Sequence, residues 1–265
     1  MTTCRPTVGH LRNESKATGI RGGVPIEIGQ IEAIFRYPVK SMRGEPLEAA
    51  TLGWHGLEGD RRLALRRLGE LGGFPFLTAG KLPELVLFTP RRLEGEAGDA
   101  LPTHVLTPEG EAMPVFGEAL AAEIGRRHGS PVEMMRFKHG IFDEGTVSVI
   151  TSDTLGEVCR LAGKSADVRR FRPNVLVRSM RAVPFEEDGW VGGVLSFGDG
   201  DDAPAVAVTL RDERCAMLNI DPDTGAKAPE IMKAVVRANQ NNAGIYGTVT
   251  RTGRLAVGQT VLLHR

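Results

Sequence analysis

The chain is poor in cysteine. Its 265 residues include only three cysteines, Cys4, Cys159 and Cys215, which lie far apart and form no Cys-x-x-Cys pair. An odd number of widely separated thiols argues against a disulfide framework, a zinc knuckle and an iron–sulfur cluster. Any cysteine chemistry in this protein is therefore expected to come from a single thiol.

Long apolar runs are also absent. No run approaches the roughly 18–20 residues that cross a membrane, and the start of the chain lacks the continuous apolar stretch of a secretory signal. Residues 1–25 are polar, rich in Gly, Thr and Arg, and without helical or strand periodicity, which predicts a disordered leader. The sequence thus predicts a cytoplasmic protein with no membrane partner.

The chain carries no net charge. Lys and Arg together number 33, as do Asp and Glu, and only 5% of the residues are aromatic. The most basic segment, residues 160–181, holds seven Lys or Arg residues, but nucleic-acid binding needs a broad basic face. We therefore expect no nucleic-acid partner, and any site for a charged ligand has to be local.

Short β-type segments dominate from residue 26 onward. Apolar alternation and short apolar runs between Gly and Pro signals predict strands at residues 26–35, 60–66, 85–89, 104–107, 112–115, 132–136, 245–251 and 259–264. Apolar stripes between start and stop residues predict helices at 116–128, from Thr151 or Ser152 to Gly163, and from Pro229 onward. The pattern favours a mainly β (α+β) fold of two coupled lobes, with Cys159 as core packing in the second helix.

Several cationic and hydroxyl side chains stand at the predicted ends of these elements, namely Lys40, Ser41, Arg61, Thr151, Ser152 and Arg172. Helix N-terminal N–H groups and arginine side chains are common ways of binding phosphate. Together these residues could form one anion pocket. Alternatively, each cation is a solvated surface residue and Ser152 is only a helix cap.

Cys215 follows Arg214 and precedes an Asp-Pro-Asp-Thr-Gly segment that begins at Asp221. The thiolate is the reactive and metal-binding form of cysteine, and a neighbouring guanidinium stabilises that charged form. Cys215 is therefore a candidate soft ligand or nucleophile, and Asp221 is a candidate catalytic carboxylate. The alternatives are a small buried core cysteine and a turn in which the aspartate has no catalytic task.

Six short motifs occur in a distinctive order along the chain. They are Tyr37-Pro-Val-Lys-Ser41, Gly59-Asp-Arg61, Phe171-Arg-Pro-Asn174, Arg214-Cys215, Asp221-Pro-Asp-Thr-Gly225 and Gly244-Ile-Tyr-Gly247. This order resembles that of the MOSC proteins, the family named for the C-terminal domain of molybdenum cofactor sulfurase, and most closely its amidoxime-reducing members. One departure is Glu213, which stands where those relatives carry a small hydroxyl residue.

The resemblance implies a MOSC β-barrel domain at residues 141–265 and a smaller β-rich N-terminal MOSC region at residues 26–140. Residues 26–61 are expected to contribute to a molybdenum–molybdopterin site between the two. By position, Cys215 would be the thiolate ligand of molybdenum and, with Asp221, a catalytic residue. The residues implied to hold the cofactor are Lys40, Ser41, Arg61, Thr151, Ser152, Arg172, Asn174, Arg214 and Tyr246.

The resemblance also implies an activity, the removal of oxygen from N-hydroxylated or N-oxide small molecules by a molybdenum-dependent oxidoreductase. Because no side chain stores the electrons, we expect a separate donor, which could be a flavoprotein reductase, a ferredoxin or a small cytochrome. The alternative is a carrier that holds a persulfide on Cys215 or escorts the cofactor. Pyridoxal phosphate, a label attached to MOSC domains through their fusion to cysteine-desulfurase-like modules, is not expected here because the chain has no pyridoxal-enzyme domain.

Overall fold

The computed structural model describes residues 24–69, 73–92 and 101–265. Its strands are β1 (Ile26–Arg36), β2 (Glu45–Leu47), β3 (Ala49–Gly53), β4 (Gly56–Leu57), β5 (Leu63–Arg67), β6 (Thr89–Arg91), β7 (His104–Leu106), β8 (Ala112–Pro114), β9 (Val132–Arg136), β10 (Val147–Thr151), β11 (Val175–Ser179), β12 (Val194–Phe197), β13 (Ala205–Glu213), β14 (Asn242–Arg251), β15 (Gly253–Ala256) and β16 (Thr260–His264). The α-helices within these ranges are α1 (Glu118–His128), α2 (Ser152–Leu161), α3 (Val168–Phe171) and α4 (Pro229–Asn239), and 3₁₀ turns lie at Pro83–Leu87, Glu186–Trp190 and Ala216–Asn219. The predicted mainly β fold is confirmed, whereas the predicted leader lies almost entirely outside the described residues.

Seven strands close into a barrel. Around the barrel they follow the order β1, β11, β10, β14, β13, β12 and β16, and the pairing of β16 with β1 completes the circle. All neighbours are antiparallel except β10 and β11, and closure leaves no barrel edge unpaired. Apolar side chains, including Ile31 and Ile34 of β1 and Val177 of β11, form the barrel core, and a register shift between Ile31 and Ala33 accounts for the spacing of three residues between the two isoleucines.

A second apolar core lies beside the barrel. β5 pairs with β9, β6 to β8 form a three-stranded sheet, and the apolar side chains of these strands pack against α1. Leu63 and Leu65, on one face of β5, are buried here together with Leu120 and Ile124 of α1. Val39, in the loop after β1, belongs to the same core. This loop is therefore held between the barrel and the second core.

A third core attaches α2 and α4 to the outer face of the barrel. Leu155 and Val158 of α2 cluster with Ile231 and Val235 of α4 and with the outward side chains of β10 and β11. Cys159 is only 1% exposed in this cluster, which confirms its predicted packing role. Within the residues that the structure describes, no helix is both long enough and apolar enough to cross a membrane.

The secondary structure departs from the sequence prediction at several places, and the short elements β2, β3, β4, β15 and α3 were not predicted. Residues 85–89, predicted as a strand, belong instead to the 3₁₀ turn Pro83–Leu87 and the start of β6. Pro83 fits the start of the turn because the missing N–H has no partner to lose there. The prediction also lacks the four barrel strands β10 to β13. β10 is buried along its full length. Its apolar residues Val149 and Ile150 are adjacent, between Ser148 and Thr151, so the strand lacks the strict alternation by which a half-buried strand is identified.

Candidate active site

A pocket of about 270 Å³ lies between the end of β13 and the loop after β1. It is lined by seven of the residues predicted for a site, namely Lys40, Ser41, Arg61, Arg172, Arg214, Cys215 and Tyr246. A further basic residue, Arg170, and four acidic residues, Asp143, Glu144, Asp212 and Glu213, complete its charged lining. The fold thus brings together residues from six separate segments of the chain.

Three of the lining residues have a left-handed backbone although none is glycine. The φ angle is 68° at Ser41, 49° at Arg61 and 53° at Arg172. Such a conformation costs on the order of 1–3 kcal/mol per residue and is concentrated at functional sites, where the surrounding structure holds it. At Arg61, the backbone N–H donates to the carbonyl oxygen of Tyr37 at 2.8 Å. The two loops that carry Lys40 and Arg61 are therefore tied to each other.

A fully buried carboxylate, Asp60, joins the parts of the pocket. Its Oδ1 accepts a hydrogen bond from the Tyr37 backbone N–H at 2.6 Å, and its Oδ2 accepts one from Asn174 Nδ2 at 3.1 Å. The same carboxylate forms an ion pair with Arg61. Asp60 is not among the predicted site residues, although it lies inside the motif Gly59-Asp-Arg61. The available signal was a carboxylate directly beside a site arginine.

The aromatic ring of Tyr37 packs against two guanidinium groups. The Arg172 guanidinium lies 4.2 Å from the ring centroid and that of Arg61 lies 5.1 Å from it, which is the geometry of a cation–π contact. Burial is the main cause that lowers the pKa of Arg172 to about 10; Tyr37 opposes this shift and the Arg61 cation contributes to it. Burial also acts to lower the pKa of Arg61, but the Asp60 carboxylate outweighs it and raises that pKa. Both side chains therefore stay cationic at neutral pH.

Arg214 is a buried residue in the wall of the pocket, and hydrogen bonds to its neighbours hold its side chain in place. Its Nε donates to the carbonyl oxygen of Ala243 at 2.7 Å, and its Nη1 donates to that of Phe171 at 2.7 Å. Its Nη2 lies 3.1 Å from Asp212 Oδ2, an ion-pair distance without hydrogen-bond geometry. Burial raises the pKa of Asp212 from 3.8 to about 6, although Arg214 acts to lower it, as does a hydrogen bond from the Ser148 hydroxyl.

β14 can pass close to Arg214 because Gly244 has no side chain. At this residue φ is 89°, and a Cβ atom would lie 2.7 Å from the Val149 carbonyl oxygen and 3.1 Å from Arg214 Nη2. Two residues later, the half-buried Tyr246 reaches the pocket. Burial raises the pKa of Tyr246 well above its ordinary value, and the negative Asp212 adds to the effect. The phenol is therefore neutral at physiological pH and can donate a hydrogen bond.

Lys40 and Asp143 form an ion pair across the pocket. Lys40 Nζ lies 2.7 Å from Asp143 Oδ1, and Lys40 itself is only 7% exposed. Burial acts to raise the pKa of Asp143, but attraction to Lys40 outweighs it, so the pKa lies below its ordinary value. Asp143 is not among the predicted residues. Its only sequence signal is the turn Phe142-Asp-Glu-Gly145 directly before β10.

Cys215 is exposed at the pocket, directly before the turn Ala216–Asn219. This exposure contradicts the alternative of a buried core cysteine. Within the described ranges, no three His, Cys, Asp or Glu side chains form a group that could hold a metal ion. An accessible thiol that lines a pocket with basic side chains can supply one thiolate ligand.

Thr151 and Ser152, two of the predicted site residues, do not line the pocket. The Thr151 hydroxyl accepts a hydrogen bond from the Thr154 N–H and so caps α2. It also donates to Oε2 of Glu187 at 3.1 Å. The Ser152 hydroxyl lies 3.5 Å from the Val177 carbonyl oxygen. Thr151 is therefore the helix cap, whereas the Ser152 hydroxyl contacts a strand carbonyl and does not cap α2. Both hydroxyl groups are used within the scaffold.

Asn174 and Asp221 also lie outside the described lining of the pocket. Asn174 supports the pocket indirectly, because its Nδ2 donates a hydrogen bond to Asp60, which pairs with Arg61. Asp221 fixes a turn, because its Oδ1 accepts hydrogen bonds from the N–H groups of Asp223 at 3.1 Å and Thr224 at 3.0 Å. It also forms an ion pair with Arg170, which does line the pocket. These contacts agree with the turn alternative for Asp221.

The chain is similar to known protein families and to individual known proteins. Residues 124–262 match the MOSC domain, and residues 28–157 match the MOSC N-terminal beta barrel domain. Mitochondrial amidoxime reducing component 2 of Bos taurus is 30% identical over 132 residues, which cover 45% of this chain and only 37% of that protein. The crystal structure of the YuaD protein from Bacillus subtilis has a TM-score of 0.50 and 15% identity, and the match covers 91% of this chain and 98% of that chain. This structural likeness shows a shared fold.

Proposed function

Because this chain belongs to the MOSC domain family, we propose that it is a molybdenum-cofactor-dependent oxidoreductase that removes oxygen from N-hydroxylated or N-oxide small molecules. The observation that carries the proposal is the exposed thiol of Cys215 at a pocket lined by five basic side chains. The similarity to the bovine amidoxime reducing component supports the reaction class.

The donors of the pocket suit an anionic, phosphate-bearing cofactor. Arginine forks and ammonium groups bind phosphate oxygens, and neutral hydroxyl groups can bind the polar edge of a pterin. Arg214 Nη2 is buried and makes no hydrogen bond in the described part of the chain, so it has a donor to offer. The residues proposed to hold molybdopterin are Lys40, Ser41, Arg61, Arg172, Arg214 and Tyr246.

When bound, the molybdenum cofactor would supply the two-electron oxygen-transfer chemistry. Cys215 would supply a soft thiolate ligand to the metal. Arg61 and Arg172, held by Asp60 and Tyr37, would keep the cofactor in a fixed orientation. The neutral Tyr246 hydroxyl would donate a hydrogen bond, and the Lys40–Asp143 pair would keep an ammonium group at the pocket while limiting its positive charge.

The proposal includes a separate electron donor, which could be a flavoprotein reductase, a ferredoxin or a small cytochrome. The side chains of the pocket bind and orient, but none of them stores two electrons. Reduction of the site therefore has to come from outside the pocket. We also propose that the protein is cytoplasmic.

A second candidate function is favoured by the same exposure of Cys215. An accessible thiol can carry a persulfide, and the basic side chains around it could hold a cofactor in transit to another protein. Sulfane sulfur on Cys215 without stoichiometric molybdenum would support this carrier. Turnover that depends on molybdenum would support the oxidoreductase.

Benzamidoxime reduction tests the oxidoreductase. The wild-type protein, Cys215→Ser and Cys159→Ala would be produced in a host that makes molybdopterin and assayed with a chemical reductant and with reconstituted donor chains. We expect benzamidine from the wild type and from Cys159→Ala, the matched removal of a buried cysteine that does not line the pocket, but not from Cys215→Ser. A molybdenum-loaded wild-type protein that reduces benzamidoxime under none of these conditions would contradict the proposal.

A further inference from the structure

A second cavity, of about 130 Å³, adjoins the cofactor pocket. Arg170, Arg172 and Met217 line both spaces. We call the second cavity the side chamber and define it by Tyr37, Val86, Arg170 and Met217. Met217 follows Cys215 by two residues, so a molecule in the side chamber would lie next to the thiol's own pocket.

The side chamber combines apolar walls with buried donors that have no partner. Phe35, Val86 and Ile220 contribute apolar surface. The Tyr37 hydroxyl and Arg170 Nη1 are buried without a hydrogen-bond partner among the described residues, and the two residues are only 2% and 9% exposed. A buried donor left unpaired is unfavourable. Two such donors around one cavity indicate a ligand with a hydrogen-bond acceptor.

One wall of the side chamber is the turn that begins at Asp221. Arg43 Nη2 donates to the carbonyl oxygen of Pro222 at 2.8 Å, and Pro222 lines the chamber. Arg169 holds Asp223 of the same turn through two hydrogen bonds of 2.6 and 2.7 Å. One wall of the cavity is therefore a turn that two arginine side chains hold in place.

We propose that the side chamber binds the aromatic body of the substrate, with a carboxylate or another acceptor group of that substrate on the Tyr37 hydroxyl and Arg170. This inference rests on the proposed reductase function, because it places the N–O group of the same molecule in the neighbouring pocket beside Cys215. Apolar walls with a few convergent polar groups are typical of small-molecule sites. Arg170 pairs with Asp221 through Nη2, but its Nη1 has no partner among the described residues, and a guanidinium donor binds a carboxylate more strongly than a neutral acceptor.

Benzoate tests the binding step without turnover. Its affinity would be measured by ligand-observed NMR for the wild type, Tyr37→Phe, Val86→Phe and the control Phe116→Leu, an exposed residue that lines neither space. We expect saturable binding by the wild type and the control, about tenfold weaker binding by Tyr37→Phe because a hydrogen bond to a charged group is worth about a decade in affinity, and loss of binding by Val86→Phe. Absence of binding by the wild type, or equal affinity in wild type and Tyr37→Phe, would overturn the inference even where Val86→Phe fails to fold.

Kinetics separate this inference from the proposed function. We expect 4-carboxybenzamidoxime to have a lower KM than benzamidoxime with the wild type, and Tyr37→Phe to remove most of that difference while the two kcat values keep their ratio. Reduction of both compounds with equal KM would overturn the side-chamber inference and leave the reductase standing. The predicted benzoate affinities without reduction of either compound would overturn the reductase and would leave the cavity a binding site for aromatic carboxylates.

Discussion

The buried Asp60 carboxylate holds three parts of the pocket, so replacing it with asparagine should weaken the fold and the site together. Its two oxygens accept from the Tyr37 N–H and Asn174 Nδ2 and face the Arg61 guanidinium. Asparagine has nearly the same shape but only one acceptor oxygen, so its NH₂ group has to face another donor. Arg61 also loses its counter-charge. Removing one partner of a buried ion pair costs about 3–5 kcal/mol.

Urea unfolding followed by tryptophan fluorescence measures this loss, since Trp190 is buried in the barrel core. Glu45→Gln is the matched control, because it breaks a 2.7 Å ion pair with Arg36 in which the glutamate side chain is 39% exposed, and ion pairs that water reaches contribute about 0–1 kcal/mol. Adding Arg61→Leu to Asp60→Asn should restore part of the stability by removing the unpaired cation. A loss for Asp60→Asn no larger than that for Glu45→Gln would refute the reasoning.

Three further predictions concern the walls of the pocket. Burial raises the pKa of Asp212 from 3.8 to about 6, so the protonated carboxyl stabilises the fold at low pH and this stabilisation is lost as the pH rises from 3.8 through about 6. Asp212→Asn should flatten the pH dependence of the unfolding free energy between these two pH values. An unchanged slope would contradict the assignment. Gly244→Ala should destabilise the protein more than Gly69→Ala does. Both glycines have positive φ, but only a Cβ atom at residue 244 would lie 2.7 Å from a carbonyl oxygen. Equal losses of unfolding free energy in urea would show that the close approach is unimportant. If the proposed reductase is correct, Glu213→Ser should raise kcat/KM for neutral benzamidoxime relative to a cationic N-hydroxyguanidine, because Glu213 is an exposed carboxylate at the pocket, and an unchanged ratio would remove its role in selectivity.

The sequence predicted those elements whose pattern is local. β1 and β16 show apolar residues between clear turn signals, and α1 has an apolar stripe that ends at Gly129 with a left-handed backbone. β10 could not be identified in this way, because it is buried on both faces and its adjacent apolar residues Val149 and Ile150 break the period of two. Residues 85–89 misled the prediction because a short apolar run after Pro83 is compatible with a 3₁₀ turn as well as with a strand.

The site was predictable to the extent that ordered motifs mark it. Lys40, Arg61, Arg172 and Cys215 are distant in sequence, and only the motif order indicated that they meet. Asp60, in contrast, acts by accepting hydrogen bonds from residues up to 114 positions away, which no spacing rule reveals. The same limit explains Thr151, whose hydroxyl is equally suited to binding a phosphate and to capping α2 until the position of Glu187 is known.

The most direct test of the account is the molybdenum and pterin content of the wild-type protein and of Cys215→Ser, both purified from a host that makes the cofactor. X-ray absorption at the molybdenum edge would be recorded on the same samples to count sulfur ligands. We predict near-stoichiometric molybdenum and pterin in the wild type and one fewer sulfur ligand in the metal that Cys215→Ser retains, or loss of that metal. A wild-type protein without molybdenum or pterin, or the same metal content and sulfur coordination in both proteins, would contradict the assignment of Cys215 as the metal ligand.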